Sequence, residues 1–97
     1  MRFDWDGRKA TSNLSKHRGS FEGATTAFDD PFALMAADPK HSTASEERRW
    51  LIGESDIGVV VVVFTVREPD NIYRIITARH AGRRERSRYD EAKNIPL

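Results

Sequence analysis

The chain has 97 residues, 38% hydrophobic and 32% charged, which fits one small folded domain spanning residues 1–97 and excludes a disordered tail or a two-domain protein. It has no cysteine, so disulfide bonds and thiolate metal sites are excluded, and a reducing cytoplasm is the expected location. The longest apolar run, 59–64, is far shorter than the roughly 20 residues of a membrane-spanning helix, and the charged N-terminus is unlike a signal peptide, so we expect no membrane partner.

The N-terminal segment predicts a short strand followed by a helix. Phe3 and Trp5 alternate with aspartates, which is typical of a strand that ends at Gly7. Ala10 and Leu14 share one face of the helix that we expect to follow. That face should pack on the protein core.

A second helix is predicted directly afterwards. Gly19 is placed to stop the first helix, and Ser20 is placed to cap the next. Its apolar stripe has the spacing i, i+3, i+4 and i+7, formed by Phe21, Ala24, Thr25 and Phe28. The segment ends before Pro31.

The rest of the chain predicts mainly strands. An edge strand at 32–37 leads into an exposed loop at 38–47. Three antiparallel strands should follow as a meander at 48–53, 59–66 and 72–79.

The middle strand of this meander is apolar on both faces. Val59, Val61 and Val63 point one way, and the other face is formed by Val60, Val62 and Phe64. A strand with no face for water should be central, with the N-terminal helices on one side and the C-terminal segment or a partner on the other. The predicted fold class is α+β.

Positive charge is concentrated near the C-terminus. Residues 1–73 carry nine Lys/Arg against twelve Asp/Glu, whereas 74–97 carry seven against three. A helix predicted from Gly82 to about Lys93 has a thin apolar stripe, and Arg83 and Arg84 lie in its first turn, where the helix dipole disfavours cations. We infer that these arginines serve an anionic partner, although a merely solvated helix face remains the alternative.

Several segments, taken in order along nearly the whole chain, resemble the BrnT family of toxins. They are Asn13 to His17, Ser20 to Glu22, Phe28 to Pro31, His41-Ser42, Glu46 to Arg48, Ile52-Gly53, Arg74 to Arg79, Glu85-Arg86 and Tyr89. Two departures are visible: Arg18 stands where the family usually has glycine, and His80 where it usually has lysine. The second makes a role for position 80 less certain.

The resemblance implies a bacterial type II toxin with a RelE-like fold, in which short helices pack on an antiparallel sheet and a basic C-terminal helix lies near the active groove. It implies RNA cleavage and inhibition of translation. It also implies neutralisation by a BrnA-type antitoxin that dimerises and binds operon DNA. No cofactor and no metal site are expected, since the three histidines lack partners at ligand spacing.

RNA cleavage without a metal needs a base, a proton donor for the leaving oxygen, and positive charge around the phosphate. Arg79 is the strongest candidate for the charge, because it ends a strand beside the basic helix. Strand alternation places Arg79 with Tyr73, Ile75 and Thr77, and Arg74 on the other side, where it either contacts RNA or pairs with a carboxylate.

Candidates for proton transfer are Glu85, Tyr89, His80, His17 and His41. Glu85 and Tyr89 are four residues apart on one helical face, so they either act together, or Glu85 orients an arginine and Tyr89 anchors the helix. His80 either titrates usefully or is an inert exposed side chain.

Five further residues are candidates for RNA binding: Arg48, Trp50, Arg83, Arg84 and Lys16. Arg48 and Trp50 alternate on one strand face, where the ring either stacks on a base or belongs to the core. Lys16 reaches phosphate or is solvated. The alternative function is a non-catalytic module that binds the antitoxin or nucleic acid in operon regulation.

Overall fold

The computed structural model describes residues 1–17 and 19–94. The three helices are α1 (Gly7–His17), α2 (Phe21–Thr25), which continues into a 3-10 turn at Thr26–Asp29, and α3 (Arg83–Lys93). The five strands are β1 (Arg2–Trp5), β2 (Leu34–Ala37), β3 (Arg49–Ser55), β4 (Gly58–Arg67) and β5 (Ile72–His80). No helix of the described residues is long and apolar enough to cross a membrane.

The strands form a single sheet in the order β1-β5-β4-β3-β2. The strands β2 to β5 pair antiparallel, and β4 lies in the middle, so the predicted meander and its central strand are confirmed. β1 pairs parallel with β5, which the sequence pattern did not indicate because alternation does not encode strand direction. The fold class is α+β, as predicted.

One face of the sheet, which we call the closed face, is covered by α1, α2 and the 3-10 turn. Its buried core consists of Phe21, Ala24, Ala27, Leu51, Val60, Val62, Phe64, Ile75 and Ala78. The rings of Phe3, Phe28 and Tyr73 pack edge-on around this core. The N-cap is also as predicted, since the Gly23 N–H donates to Ser20 Oγ at 3.0 Å.

The opposite face, which we call the open face, is only partly covered by α3. Its smaller core consists of Ile52, Val59, Val61 and Tyr89, with Leu34, Trp50 and Ala81 packed against it. Of the two covers predicted for this side, the C-terminal segment or a partner, the C-terminal segment supplies part as α3. Part of the sheet surface beyond α3 stays accessible.

The predicted alternation along β5 is wrong at one point, because a β-bulge interrupts it. Val63 pairs with Thr77, but Phe64 pairs with Ile75, so Ile76 is an extra residue. Tyr73 and Ile75 therefore lie on the closed face, whereas Thr77 and Arg79 lie on the open face. The bulge therefore determines that the Arg79 side chain lies on the open face of the sheet.

The expected apolar face of α1 is confirmed for Ala10, which packs against the closed-face core, and wrong for Leu14, which is 51% exposed. Among the described side chains of the helix, the buried one is Asn13. The Asn13 amide accepts from the Ala78 N–H and donates to the Ala78 and Gly19 carbonyl oxygens. β1 pairs with β5 only as far as Ile75, and Asn13 supplies the hydrogen bonds that an adjacent strand would make further along.

Candidate active site

A groove of about 450 Å³ opens on the open face between α3 and the 38–48 loop. Its floor is apolar and consists of Ile52, Val61, Val63 and Ile76. Its walls carry charge, aromatic surface and one histidine, from Asp38, His41, Arg48, Trp50, Thr77, Arg79, Glu85 and Arg88. Three arginines around an apolar floor can receive an anionic ligand that also carries a flat apolar group.

Arg79 is held in this groove by Glu85. Arg79 Nη1 and Nη2 each donate to one oxygen of the Glu85 carboxylate at 2.7 Å. Glu85 also accepts from the Gly82 N–H at 2.8 Å, at the N-terminus of α3. The hydrogen bond from Arg79 holds the pKa of the Glu85 carboxyl below its ordinary value, although burial opposes this effect. The carboxylate is therefore charged and accepts three hydrogen bonds, which favours the orienting role over proton transfer.

Arg79 keeps donor capacity despite this pair. A guanidinium has five N–H groups in a fixed plane; Glu85 takes two of them, and Nη1 also donates to the His80 carbonyl oxygen at 3.4 Å, which leaves Nε and one N–H of Nη2. The side chain of Arg79 is 41% exposed. The hydrogen bond with Glu85 also raises the pKa of Arg79, so the cation is permanent. A phosphate can therefore approach an arginine whose direction is already fixed.

Arg48 and Trp50 form the wall opposite Arg79. Both line the groove, as their alternation on one strand face indicated. Arg48 Nε donates to Glu46 at 3.1 Å, and the Arg88 guanidinium lies 5.8 Å from the centre of the Trp50 ring. Trp50 is half-buried, so it packs on the open-face core and still presents surface to the groove. Arg88, which was not selected from the sequence, completes this wall.

Asp38 and His41 form the third element of the groove. His41 Nδ1 donates to Asp38 Oδ2 at 2.7 Å, with Asp38 9% exposed and the His41 side chain 56% exposed. The hydroxyl of Ser42 holds the loop closed, because it donates to the Asp38 carbonyl and accepts from the Arg48 N–H. The sequence analysis selected His41 but not Asp38; the Asp-x-x-His spacing could have indicated the pair, but it is a weak signal inside an exposed loop.

Tyr89 is an anchor for α3 rather than a groove residue. The side chain is buried at 1% exposure, and its hydroxyl donates to Asp30 Oδ2 at 2.5 Å. Burial, reinforced by the Asp30 carboxylate, raises the pKa of Tyr89 far above its ordinary value. Of the two sequence-based interpretations, anchoring fits this geometry.

Asp30 is a structural residue that the sequence analysis missed. It follows the 3-10 turn and accepts hydrogen bonds from the Glu54 N–H at 2.8 Å and the Phe32 N–H at 2.9 Å, besides the Tyr89 hydroxyl. Burial alone would raise the pKa of Asp30, but these hydrogen bonds outweigh it and lower the pKa. Asp30, which is distant from both elements in the sequence, thus links α3 to β3.

The remaining predicted site residues lie outside the groove. His80 pairs with the closed-face residue Val60 and is exposed on that side of the sheet. Arg83 faces a hollow on the outer side of α3, and Arg84 is exposed one turn before Arg88. The side chain of His17 lies outside the described residues. Of the two roles considered for Arg74, pairing with a carboxylate is the one observed, because Nη1 donates to Asp4 Oδ1 at 3.1 Å.

Lys16 lies beside a second cavity that continues from the groove. This cavity, of about 230 Å³, shares Ile76 and Thr77 with the groove and also contacts Lys9 and Asn13. A larger hollow of about 820 Å³ beside the start of α1 is shallow, and Arg8 is the sole arginine along its 6–12 lining. The groove and its extension toward Lys16 therefore bring together the following predicted residues: Arg79, Glu85, His41, Arg48, Trp50 and Lys16.

A small α+β domain with an arginine-lined groove and an aromatic wall is typical of proteins that act on nucleic acid. The chain belongs to the BrnT family. The matching family model covers residues 5–85 and is described as the ribonuclease toxin BrnT of type II toxin-antitoxin systems. No curated protein sequence gives a significant match. The resemblance read from the sequence motifs is thus confirmed, and the family implies an antitoxin partner.

Proposed function

We propose that this protein is a metal-independent endoribonuclease that cleaves single-stranded RNA in the groove, inhibits translation, and is neutralised by a BrnA-type, DNA-binding antitoxin. The observation that carries the proposal is the bidentate Arg79–Glu85 pair in a groove that also holds Trp50. The family's ribonuclease description supports it.

In the proposed reaction the 2′-hydroxyl of the RNA attacks the neighbouring phosphate. Negative charge builds up on the non-bridging oxygens of that phosphate, and Arg79 stabilises it through N–H groups that Glu85 does not occupy. Glu85 acts as a positioning residue, because it fixes the plane of the guanidinium before RNA binds. A fixed donor loses little conformational entropy in the transition state.

The preference for single strands follows from the Trp50 ring in the wall of the groove. A base must be unstacked to reach the Trp50 ring, and duplex RNA does not offer one. Arg48 and Arg88 flank that ring, and Lys16 with Lys9 extends the positive surface past Thr77. In this proposal Arg83 and Arg84 contribute to long-range attraction or to antitoxin binding rather than to the reaction itself.

The test is cleavage of single-stranded RNA by the purified protein in excess EDTA. We expect Arg79→Ala to lower the rate by about 100-fold or more, the effect of losing a preorganised charge donor. Arg86→Ala is the matched control, because it removes a guanidinium from the outer side of α3. Equal cleavage by the Arg79→Ala protein would remove Arg79 from the site, and loss of cleavage in EDTA that Mg²⁺ restores would contradict metal independence.

The three hydrogen bonds that Glu85 accepts support a second function, binding without turnover. A groove whose carboxylate is committed to Arg79 has the donors for RNA phosphate but one fewer candidate base. This alternative predicts RNA binding that weakens steeply with salt while no product appears. The same protein preparation in both assays separates the two functions.

A further inference from the structure

We propose that His41, held by Asp38, is the general base that accepts the proton of the attacking 2′-hydroxyl; the inference rests on the proposed ribonuclease function. His41 lines the same groove as Arg79, Trp50 and Arg88. It belongs to the 38–48 loop, which contributes Asp38, His41 and Arg48 to the groove.

The contact with Asp38 fixes the tautomer of His41. A nearly buried carboxylate that accepts from Nδ1–H at 2.7 Å keeps the proton on Nδ1 and leaves the lone pair on Nε2. The carboxylate also stabilises the imidazolium that forms when Nε2 takes a second proton. Asp38 is itself held in place, since its N–H donates to the Arg48 carbonyl at 2.8 Å and its carbonyl accepts from Ser42 Oγ.

Three of the other proton-transfer candidates are engaged or misplaced. Glu85 accepts three hydrogen bonds, Tyr89 is buried against Asp30, and His80 is on the closed-face side of β5. Within residues 1–17 and 19–94, the titratable groups that line the groove besides the arginines are Asp38, His41 and Glu85. His41 is the one of these with a free nitrogen lone pair.

The proposed step is balanced without any co-reactant other than water. The proton of the 2′-hydroxyl moves to His41 Nε2 while the bond from O2′ to phosphorus forms. The bond from phosphorus to O5′ breaks, and the leaving O5′ takes a proton from water. The products are a 2′,3′-cyclic phosphate and a 5′-hydroxyl end, and His41 then returns its proton to solvent.

The first experiment measures kcat and KM of the full-length protein on a single-stranded RNA oligonucleotide. We expect His41→Ala to lower kcat by about 100-fold or more, the range for loss of a general base, with little change in KM. Asp38→Asn should give a smaller loss of kcat, because it disturbs the tautomer and leaves the imidazole in place. Lys40→Ala is the control, since this exposed neighbour in the same loop is not among the residues that line the groove.

His41→Gln and a thermal unfolding curve for each variant guard against misfolding. A His41→Ala protein that melts like the wild type and still cleaves at the wild-type rate would overturn the inference about His41 and leave the proposed ribonuclease function standing. If the wild type and Lys40→Ala both fail to cleave RNA, the proposed function falls and the inference falls with it. The two failures are therefore distinguishable.

A second substrate distinguishes between His41 acting as a general base and His41 acting as a general acid. Replacing the leaving O5′ with sulfur removes the need for a proton donor but not the need for a base. If His41 is the base, His41→Ala should stay about as far below the wild type on this substrate as on ordinary RNA. Recovery of the His41→Ala rate would show that His41 protonates the leaving group, which would overturn its assignment as the base.

Discussion

The two faces of the sheet differ in how completely they are covered. On the closed face, Val60, Val62 and Phe64 of β4 are fully buried under the N-terminal helices. On the open face, α3 covers Val59 and Val61, but Val63 remains half-buried in the floor of the groove. One strand thus supplies a complete core on one side and an incomplete one on the other.

If the proposed function is right, this difference separates the residues that stabilise the fold from those that act on RNA. The closed face buries large aromatic and branched side chains that contact one another, which is where most hydrophobic stabilisation arises. The open face places three arginines around the surface that α3 does not cover. Residues of the first kind should therefore affect unfolding, and residues of the second kind should affect RNA binding and cleavage.

Phe64→Ala should have the largest effect and tests the closed face directly. Truncating this fully buried ring should lower the free energy of unfolding by about 3–5 kcal/mol, enough to threaten the fold of a small domain. The adjacent Val63→Ala, on the open face, should cost less than about 1 kcal/mol, because the side chain is already half exposed to the groove. Urea denaturation followed by circular dichroism measures both. Similar losses in the free energy of unfolding for the two variants would contradict the proposed difference between the closed and open faces.

Tyr89→Phe tests how α3 is attached to the open face. Removing the hydroxyl deletes its hydrogen bond to the Asp30 carboxylate, and we expect a loss of about 1.5–3 kcal/mol, the range for a bond to a charged group. The aromatic ring stays, so the open-face core remains packed. Tyr73→Phe, on a half-buried ring of the closed face, is the control, and its loss should be smaller. Equal melting temperatures for the wild type and Tyr89→Phe would contradict the anchoring role.

Trp50→Ala should separate the two roles that the sequence left open for this ring. If bases stack on it, binding of a non-cleavable 2′-deoxy oligonucleotide should weaken by about 1–3 kcal/mol. Trp50→Phe, which keeps an aromatic surface, should retain most of that affinity. Fluorescence anisotropy at fixed salt provides the measurement. A variant that binds normally but melts early would assign Trp50 to the core alone.

The smallest predicted effect concerns the stability of the fold at low pH. The folded protein holds the pKa of Glu85 below its ordinary value of 4.5, so the stabilisation from this group is present above that pH and is lost as the pH falls below it. Glu85→Gln should therefore lose less stability than the wild type when the pH is lowered through this range. The control is Glu22→Gln on the exposed side of α2, and unfolding curves at pH 6 and pH 3.5 compare the three proteins. Identical acid sensitivity of Glu85→Gln and the wild type would contradict the coupling to Arg79.

Much of the fold could be predicted because it follows from local patterns. The all-apolar run 59–64 required a central strand covered on both sides, and β4 is that strand. Ser20 at the start of α2 and Pro31 after the 3-10 turn marked element boundaries correctly. Leu14 was misassigned because the buried position of α1 holds a polar residue, Asn13, whose partners on β5 are far away in the sequence.

The site was predictable in its ingredients but not in its arrangement. Arg79, Arg48 and Trp50 were selected from the sequence and lie in one groove, and Glu85 holds Arg79 as one of its two interpretations required. His80 was selected as a titratable side chain within the basic segment, but it follows Arg79 directly on β5, and successive residues of a strand point to opposite faces. Arg88 gave no signal that distinguished it from the other arginines of α3.

The sequence by itself determined the α+β class, the central strand, the basic C-terminal helix and the membership of the BrnT family, because each depends on residue types at short spacing or on ordered motifs. The tertiary structure decided which side chains meet. The bulge at Ile76 turns Arg79 toward α3, and the folded loop brings Asp38 and His41 to the same groove. Such encounters depend on strand register and on contacts between distant segments, which local periodicity does not encode.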